Sequence, residues 1–291
     1  MGDDEIFLQL RPKLFGLAYR MLGTAADAED VLQEAYLRWR QRARADVRAP
    51  QSFLATVVVR LCLDSLGSAR ARRERYVGPW LPEPLLVDEA DPADAAELAD
   101  SLSLAFLVLL EELSPAERAA FLLHDVFDYG YPELADILAR KAPACRQLVA
   151  RARRHLEARR RRFDSDRRSA AQLTEQFVAA CVSGDIDALA GMLADDVVVW
   201  ADGGGQVKSA LRPIIGPAKA ARFLAAVAQA IPTGAEVRHV LLNGQSGLVI
   251  VQAGVAVTAI VLDVADGRIS GVRIVASPDK LRAVNKALAG R

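Results

Sequence analysis

The chain has 291 residues, 52% of them hydrophobic, and equal numbers of basic and acidic side chains give it a formal net charge of zero. This length suits two or three domains, and this hydrophobic content excludes a chain that is disordered throughout. The acidic N-terminus is not a signal peptide, no apolar run reaches membrane-spanning length, and the three cysteines and three histidines show no metal spacing. We therefore expect a cytoplasmic, multidomain protein without a metal or cofactor.

Basic and acidic blocks alternate along the chain behind this zero net charge. Lys and Arg are absent from Tyr76 to Glu117, whereas from Arg140 to Arg168 the balance is strongly basic. The acidic block is densest at Glu83, Asp88, Glu89, Asp91, Asp94, Glu97 and Asp100. Such segregation suits a protein that meets a polyanion with some surfaces and shields them with others.

Two helices are predicted first, over about residues 4–22 and 25–40. Gly23 ends the first helix, and Thr24 followed by Asp27 resembles a capping box that opens the second. The polar face of the second helix carries Asp27, Asp30, Gln33 and Glu34. These side chains indicate either a solvated face favoured by the helix dipole or a docking face for a basic partner.

A basic loop and a long helix follow. The loop, residues 41–49, contains Arg42, Arg44 and Arg48, and Pro50 begins a helix that is apolar almost all round. This helix leaves the predicted core as a basic string, residues 68–75, which contains Arg70, Arg72 and Arg73. Beside a helical bundle, such a string is suited to follow phosphate groups.

Residues 114–163 predict a helix-turn-helix. An apolar stripe precedes a turn at residues 139–142, and from Pro143 the apolar residues of a second helix follow the i, i+3, i+4, i+7 pattern. The polar positions of that second helix are Arg146, Gln147, Arg151, Arg153 and Arg154. The pattern fits a helix that enters the major groove of DNA, and taken alone it also fits a solvated basic helix.

The pattern changes after Arg168. Helices are predicted at about 173–182, 186–193 and 218–231, and strands at about 196–200, 236–242, 247–252, 256–264 and 269–275. Hairpin turns are indicated at residues 244–247 and 266–267. Helices followed by antiparallel strands predict an α+β cone.

Trp200, Asp202 and His239 are candidate catalytic residues of this cone, because a lone Asp in a pocket can act as a general base. The run from Asp202 to Gly205 also fits a simple turn, and no second catalytic group is evident. The sequence pattern leaves both interpretations open.

Over about residues 7–163 the chain resembles the extracytoplasmic-function (ECF) sigma factors. Region 2 is matched by LFGLAYRMLGTAADAEDVLQEAYLRWRQ and FLATVVVRLCLDSLGSARARRERYVGPWLPEP, and region 4 by LSPAERAAFLLHDVFDY and ACRQLVARARRHL. The resemblance implies two all-α domains. Many helix-turn-helix units carry Gly at the position of Ala139, where Ala would cost about 1 kcal/mol if a left-handed conformation is kept.

The resemblance also implies roles for the polar surfaces. The clamp helices of the polymerase β′ subunit would bind Asp27, Glu29, Asp30, Gln33 and Glu34. The −10 element would be opened, and an extruded base held, by a set comprising Arg42, Arg44, Arg48, Arg60, Asp64, Arg70, Arg72 and Arg73. The −35 element would be read by Arg146, Gln147, Arg151, Arg153 and Arg154.

The linker and the C-terminal part resemble the sigma-J-like group of ECF sigma factors, which carries a SnoaL-like domain. WLPEP at residues 80–84 is similar to the linker motif of the group, and residues 202–206 and 277–281 are similar to its DGGGK and NPDKL motifs, with Gln206 and Ser277 replacing Lys and Asn. The resemblance implies a regulatory contact made by Trp80, Leu81, Pro82, Glu83, Pro84, Asp202, Gly203, Gly204, Gly205, Pro278, Asp279, Lys280 and Leu281.

We therefore predict a sigma factor rather than an enzyme, with region 2 at residues 1–75, a linker at 76–100, region 4 at 101–163 and a SnoaL-like regulatory domain at 169–291. Core RNA polymerase and promoter DNA are the expected partners, with no membrane and no separate anti-sigma factor. Two alternatives remain. The C-terminal domain could sense a small molecule or act as an isomerase- or hydrolase-type enzyme, or the chain could be a helix-turn-helix repressor that needs no polymerase.

Overall fold

The computed structural model describes residues 3–41, 49–74, 76–86, 102–160 and 167–290, without the side chains of residues 68–74, 158–160 and 167–169. The chain forms two compact units, each assembled from two separate stretches. The first combines residues 1–75 with 107–159, and the second combines residues 76–106 with 160–291. The linker that follows region 2 therefore belongs to the same unit as the C-terminal domain.

The described residues up to 160 are mainly helical. The helices are α1 (Asp3–Leu22), α2 (Ala25–Gln41), α3 (Pro50–Glu74), α4 (Leu104–Leu110), α5 (Pro115–Phe121), a π-helical turn (Leu122–Val126), α6 (Tyr131–Ile137) and α7 (Ala142–Arg160). Nowhere in the described ranges does a helix combine the length and apolarity that crossing a membrane requires.

In the first unit, the helices predicted as region 4 pack directly on those predicted as region 2. Arg118 of α5 is 3% exposed, and its guanidinium donates to the carbonyl oxygen of Met21 at 2.6 Å and pairs with Glu111 at 2.8 Å. Burial lowers the pKa of Arg118 to about 10. Gln51 of α3 donates to the Tyr129 hydroxyl at 3.5 Å, so the contact also reaches the segment before α6.

The helix-turn-helix is confirmed in its main features. α5 begins with the capping box of Ser114 and Glu117, and the buried stripe of α7 includes Cys145, Leu148 and Val149. Ala139 in the turn has φ of 50°, the left-handed conformation in which Ala is strained. α7 begins at Ala142, so Pro143 lies in its first turn, where a missing N–H removes no helical hydrogen bond.

The second unit contains three helices on one face of a six-stranded sheet, followed by a C-terminal helix that the sequence pattern missed. The elements are α8 (Arg167–Ser183), α9 (Ile186–Met192), β1 (Leu193–Asp202), β2 (Ile214–Ile215), α10 (Pro217–Gln229), β3 (Glu236–Leu242), β4 (Gln245–Gln252), β5 (Val255–Ala265), β6 (Arg268–Val275), a 3-10 turn (Asp279–Leu281) and α11 (Arg282–Ala289).

The strand order is β2-β1-β6-β5-β4-β3, and one pair departs from the antiparallel sheet predicted from the sequence. β1 and β6 run parallel, and the chain passes through α10 and the strands β2 to β5 between them. The pairs β3-β4, β4-β5 and β5-β6 are antiparallel hairpins. Val199 of β1, Phe177 of α8 and Leu224 of α10 belong to the core between the sheet and the helices.

Candidate functional site

Some side chains on the acidic face of α2 are exposed, and others are bonded to neighbouring residues of the same unit. Asp30 and Gln33 are exposed, whereas Glu29 pairs with Arg11 at 2.5 Å and Glu34 pairs with Arg38 at 2.8 Å. Thr24 caps the helix, since its hydroxyl accepts a hydrogen bond from the Asp27 amide at 3.2 Å, and the same hydroxyl donates to the Asp27 carboxylate at 2.6 Å. Exposed ion pairs of this kind are worth only about 0–1 kcal/mol, so a basic partner can replace them.

A cavity of about 570 Å³ opens between the end of α2 and the first half of α3. Its lining comprises Arg38, Gln41, Phe53, Thr56, Val57 and Arg60. The Phe53 ring lies 5.9 Å from the Trp39 ring and supplies an aromatic wall, while two arginines lie at the border. An aromatic surface beside guanidinium groups can stack a base and hold a phosphate.

Of the residues predicted to contact the −10 element, Arg60 lines this cavity and Asp64 is exposed one helical turn further along α3. Arg42, Arg44 and Arg48 lie outside the described residues, and so do the side chains of Arg70, Arg72 and Arg73. Sequence reasoning missed the other lining residues. The i, i+4, i+7 spacing of Phe53, Val57 and Arg60 on α3 was the available signal.

The arginines of α7 divide into two groups. Arg153 makes a two-pronged contact with Asp125, at 2.9 Å and 2.5 Å, and this contact raises the pKa of Arg153. Arg151 pairs with Glu117 at 3.0 Å. Both arginines thus bind acidic groups of their own helix-turn-helix. The exposed face that remains carries Arg146, Gln147 and Arg154.

The carboxylate of Asp202, at the end of β1, joins the linker to the C-terminal domain. Asp202 is 1% exposed. Its Oδ1 accepts hydrogen bonds from the Tyr76 hydroxyl at 2.6 Å and the Gly204 amide at 3.0 Å. Its Oδ2 accepts from the Leu81 amide at 2.8 Å and from the Lys280 ammonium at 2.6 Å. Both oxygens are therefore fully used as acceptors.

Lys280, from the second C-terminal motif, completes this contact. Its Nζ also donates to the carbonyl oxygen of Leu81 at 2.6 Å, and it lies 4.3 Å from the Trp80 ring centre and 4.6 Å from that of Tyr76. The ammonium is thus surrounded by a carboxylate, a carbonyl and two aromatic faces, which is a favourable setting for a buried cation. Burial and the bond to Asp202 raise the pKa of the Tyr76 hydroxyl, which stays protonated as a donor.

The glycines after Asp202 permit this close approach. A Cβ at Gly203 would lie 2.2 Å from the Val207 carbonyl oxygen, and a Cβ at Gly204 would lie 2.5 Å from the Ser277 hydroxyl oxygen. Gln206, which stands in place of the Lys of DGGGK, donates to Asp279 at 2.8 Å. The two C-terminal motifs are therefore bonded to each other as well as to the linker.

Most of the residues predicted to be regulatory are buried where the linker meets the C-terminal domain, and others of the set are exposed. Leu281 and the linker residues from Leu81 to Pro84 are buried, and Trp80 is half-buried. Pro278 and Asp279 are exposed. The structure therefore brings the linker motif and both C-terminal motifs together around Asp202 and Lys280.

A second contact with the linker was not foreseen from the sequence. Asn243, in the β3–β4 turn, exchanges two hydrogen bonds with Leu85, at 2.8 Å and 2.9 Å, and its side-chain amide donates to the Leu102 carbonyl oxygen at 2.9 Å. Leu86 forms a β-bridge with Leu242 beside it. The Asn-Gly pair signalled a turn, but not its partner.

The three candidate catalytic residues are not brought together. Trp200 and Asp202 are two residues apart on β1, on the sheet face turned away from the helices, and Trp200 lies against the Arg273 guanidinium at 4.8 Å. His239 is exposed on β3, which is four strands from β1 in the sheet order. At roughly 4.8 Å per strand, this separation is too large for a shared reaction centre.

Three protein-family models match successive stretches of the chain. Residues 6–72 match the model of Sigma-70 region 2, residues 103–156 match Sigma-70 region 4, and residues 174–272 match the SnoaL-like domain. The chain is 36% identical over 286 residues to the ECF RNA polymerase sigma factor SigJ of Mycobacterium tuberculosis, covering 94% of this chain and 91% of SigJ.

Two further matches also carry the names of ECF sigma factors. The chain is 38% identical over 185 residues to the probable ECF RNA polymerase sigma factor SigI of the same organism, covering 63% of this chain and 64% of SigI. The crystal structure of Mycobacterium tuberculosis SigJ is similar to this chain with a TM-score of 0.77 at 33% identity, over 97% of this chain and 99% of SigJ.

Proposed function

Since the chain belongs to the ECF RNA polymerase sigma factors, which bind core polymerase and promoter DNA to initiate transcription, we propose that its C-terminal domain regulates this activity by holding the linker. The contact of Asp202 and Lys280 with the linker supports this proposal most directly. The linker lies between the region 2 match, which ends at residue 72, and the region 4 match, which begins at residue 103. A contact that fixes the linker therefore restricts how regions 2 and 4 can be placed on a promoter.

The strength of the contact suits a regulatory role. Removing one partner from a buried, hydrogen-bonded charge pair typically costs about 3–5 kcal/mol. The Asp202–Lys280 pair is of this kind, since neither side chain is more than 9% exposed and both also bond to the linker. Such a contact favours the arrangement in which the linker is bound to the C-terminal domain. A ligand or partner that binds the state with a released linker several kcal/mol more tightly reverses this preference.

We also propose which surfaces of regions 2 and 4 meet polymerase and DNA. The exposed Asp30 and Gln33 of α2 would meet core polymerase, and the cavity with Phe53 and Arg60 would receive a base extruded from the −10 element. The exposed face of α7 with Arg146 would read the −35 element.

The alternative of a catalytic C-terminal domain has little support among the described residues. Asp202, its best candidate for a general base, already accepts four hydrogen bonds, one of them from a lysine ammonium. Donors of the protein itself therefore occupy both of its oxygens, which leaves no free position for a proton taken from a substrate. We propose instead that the domain takes the place of a separate anti-sigma protein, since it holds the linker of its own chain.

Run-off transcription with core polymerase tests the proposal. The full-length protein, a truncation after Arg168, and the variants Asp202→Asn and Asp195→Asn are compared on a promoter selected from genomic fragments. Asp195 lies on the same strand and its side chain is fully exposed, so its variant is the matched control. We expect the truncation and Asp202→Asn to change transcription, and Asp195→Asn to behave like the wild type. Equal transcription by all four proteins, with equal polymerase binding, would show the proposal to be wrong.

A further inference from the structure

Asn243 holds the linker at two points, and we propose that this residue sets the spacing between the −35 and −10 elements that the protein accepts. The inference rests on the proposed function, because it takes the hold on the linker as the regulatory contact. Asn243 lies outside the regions of the linker motif and of the two C-terminal motifs. It acts as a positioning residue, since it holds the linker rather than DNA or polymerase.

The first hold is at Leu85 and resembles the addition of a strand to a sheet edge. The Asn243 backbone amide donates to the Leu85 carbonyl oxygen at 2.8 Å, and the Leu85 amide donates to the Asn243 side-chain oxygen at 2.9 Å. The Leu86–Leu242 bridge extends the pairing by one residue. The linker is thus paired with the end of β3, which is an edge strand of the sheet.

The second hold is at Leu102, immediately before region 4. The Asn243 side-chain nitrogen donates to the Leu102 carbonyl oxygen at 2.9 Å. Ser103 follows, and its hydroxyl accepts a hydrogen bond from the Phe106 amide at 3.1 Å, which caps the start of α4. Holding Leu102 therefore holds the residue from which the first helix of region 4 begins.

The conformation of Asn243 explains why this residue type is suited to the task. Its φ is 54°, a left-handed conformation that Asn tolerates better than most residues, and it is completely buried. A buried side-chain amide needs partners for both its oxygen and its nitrogen. Here Leu85 satisfies the oxygen and Leu102 satisfies the nitrogen, so one amide joins the middle of the linker to the residue just before region 4.

The number of residues between Leu85 and Leu102 shows why bonding both of them to Asn243 limits the spacer lengths that the linker allows. Residues 85 and 102 are seventeen steps apart, and an extended chain of that length can reach up to about 60 Å. DNA rises roughly 3.4 Å per base pair, so a free linker would tolerate many spacer lengths. With both ends bonded to Asn243, this reach is unavailable, and we expect a narrow spacer preference.

The variant Asn243→Asp tests the inference at a single atom. An Asp oxygen still accepts from the Leu85 amide, but the atom facing the Leu102 carbonyl can no longer donate. The matched control is Asn285→Asp, because the Asn285 side chain also bridges an amide and a carbonyl, both of Ala256, and touches no linker residue in its recorded bonds. Full-length proteins are used with core polymerase in run-off transcription.

The templates carry one promoter whose spacer is shortened or lengthened by one or two base pairs. Losing one buried hydrogen bond shifts an equilibrium by roughly ten-fold, so the ratio of off-length to optimum transcription should rise by up to that factor in Asn243→Asp. Wild type and Asn285→Asp should keep a narrow optimum. A merely structural defect would lower transcription from every template alike.

A spacer profile of Asn243→Asp that matches the wild type would overturn the inference, and so would equal broadening by Asn285→Asp. If Asn243→Asp does not fold, Asn243→Gly replaces it, because Gly adopts the same φ and keeps the backbone bond to Leu85. Failure of the proposed function is recognised separately, because truncation after Arg168 would then leave transcription unchanged. A truncation effect with an unaltered Asn243→Asp profile would refute only the role of Asn243.

Discussion

Lys280 and Asp202 are separated by 78 residues of sequence, and their side chains meet at 2.6 Å in a buried site that also holds the linker. The pair uses one residue from each of the two C-terminal motifs. Because three further hydrogen bonds of the pair go to Tyr76 and Leu81, the stability of the C-terminal domain and the position of the linker depend on the same atoms.

The first prediction concerns this pair. Lys280→Met keeps an unbranched apolar stem but removes the charge, which leaves the Asp202 carboxylate buried without its cation. We expect the free energy of unfolding to fall by about 3–5 kcal/mol, measured by urea denaturation. Lys286→Met, on an exposed residue of α11, should change it by less than about 0.5 kcal/mol. Equal effects of the two substitutions would contradict the buried-pair account.

Two glycine substitutions should have opposite effects. Gly203→Ala places a Cβ 2.2 Å from the Val207 carbonyl oxygen, so the turn after β1 must shift, and we expect a loss of about 1–3 kcal/mol. Gly191→Ala adds a methyl group in α9 with nothing within 4 Å, and should stabilise by about 0.5–1 kcal/mol. Thermal unfolding of both variants gives the signs, and a stabilising Gly203→Ala would disprove the close approach.

The left-handed turn of the helix-turn-helix offers a stabilising substitution. Ala139 has φ of 50°, where Gly is unstrained, so Ala139→Gly should stabilise the protein by up to about 1 kcal/mol. The control is Ala150→Gly, an exposed site within α7, which should destabilise by about 1 kcal/mol. Calorimetry of the two variants distinguishes them. A destabilising Ala139→Gly would mean that the turn is not held in this conformation.

The capping box of α5 predicts a pH dependence. The hydrogen bond from the Ser114 hydroxyl lowers the pKa of Glu117, so this carboxylate contributes stability above the pKa of an unfolded Glu, about 4.3. That contribution is lost as the pH falls through the lower pKa of the folded protein. Ser114→Ala should therefore cost about 1 kcal/mol at neutral pH and less in acid. Urea denaturation at several pH values measures the difference, and a constant difference would contradict it.

The two groups of arginines on α7 should respond differently to alanine substitution. Arg146→Ala should weaken binding to the −35 element by about 1–3 kcal/mol but cost at most about 0.5–1 kcal/mol of stability, because its contact with the Tyr131 ring, at 5.7 Å, is an exposed cation–π interaction. Arg153→Ala should instead lower stability, because it removes the partner of Asp125. Holoenzyme binding to promoter DNA and thermal unfolding separate these effects. Equal loss of stability in both variants would refute the division.

Much of the fold followed from local patterns. Apolar residues at helical spacing predicted α7 and its buried stripe of Cys145, Leu148 and Val149. The strand-like stretches at 256–264 and 269–275, with the Asp266-Gly267 turn between them, predicted the hairpin of β5 and β6. These features depend on residues at most a few positions apart, because backbone geometry repeats over two or about 3.6 residues. Through the resemblance to the sigma-J-like group, the sequence also predicted a contact between the linker and the motifs that contain Asp202 and Lys280.

Contacts between distant parts of the chain were decided only by the tertiary structure. No pattern predicted that β1 would pair in parallel with β6, that Asn243 would bond to Leu85 and Leu102, or that Arg153 would bind Asp125. A side-chain amide or guanidinium can bond to many groups. Which group it meets depends on how the chain folds back, and sequence spacing carries no record of that path.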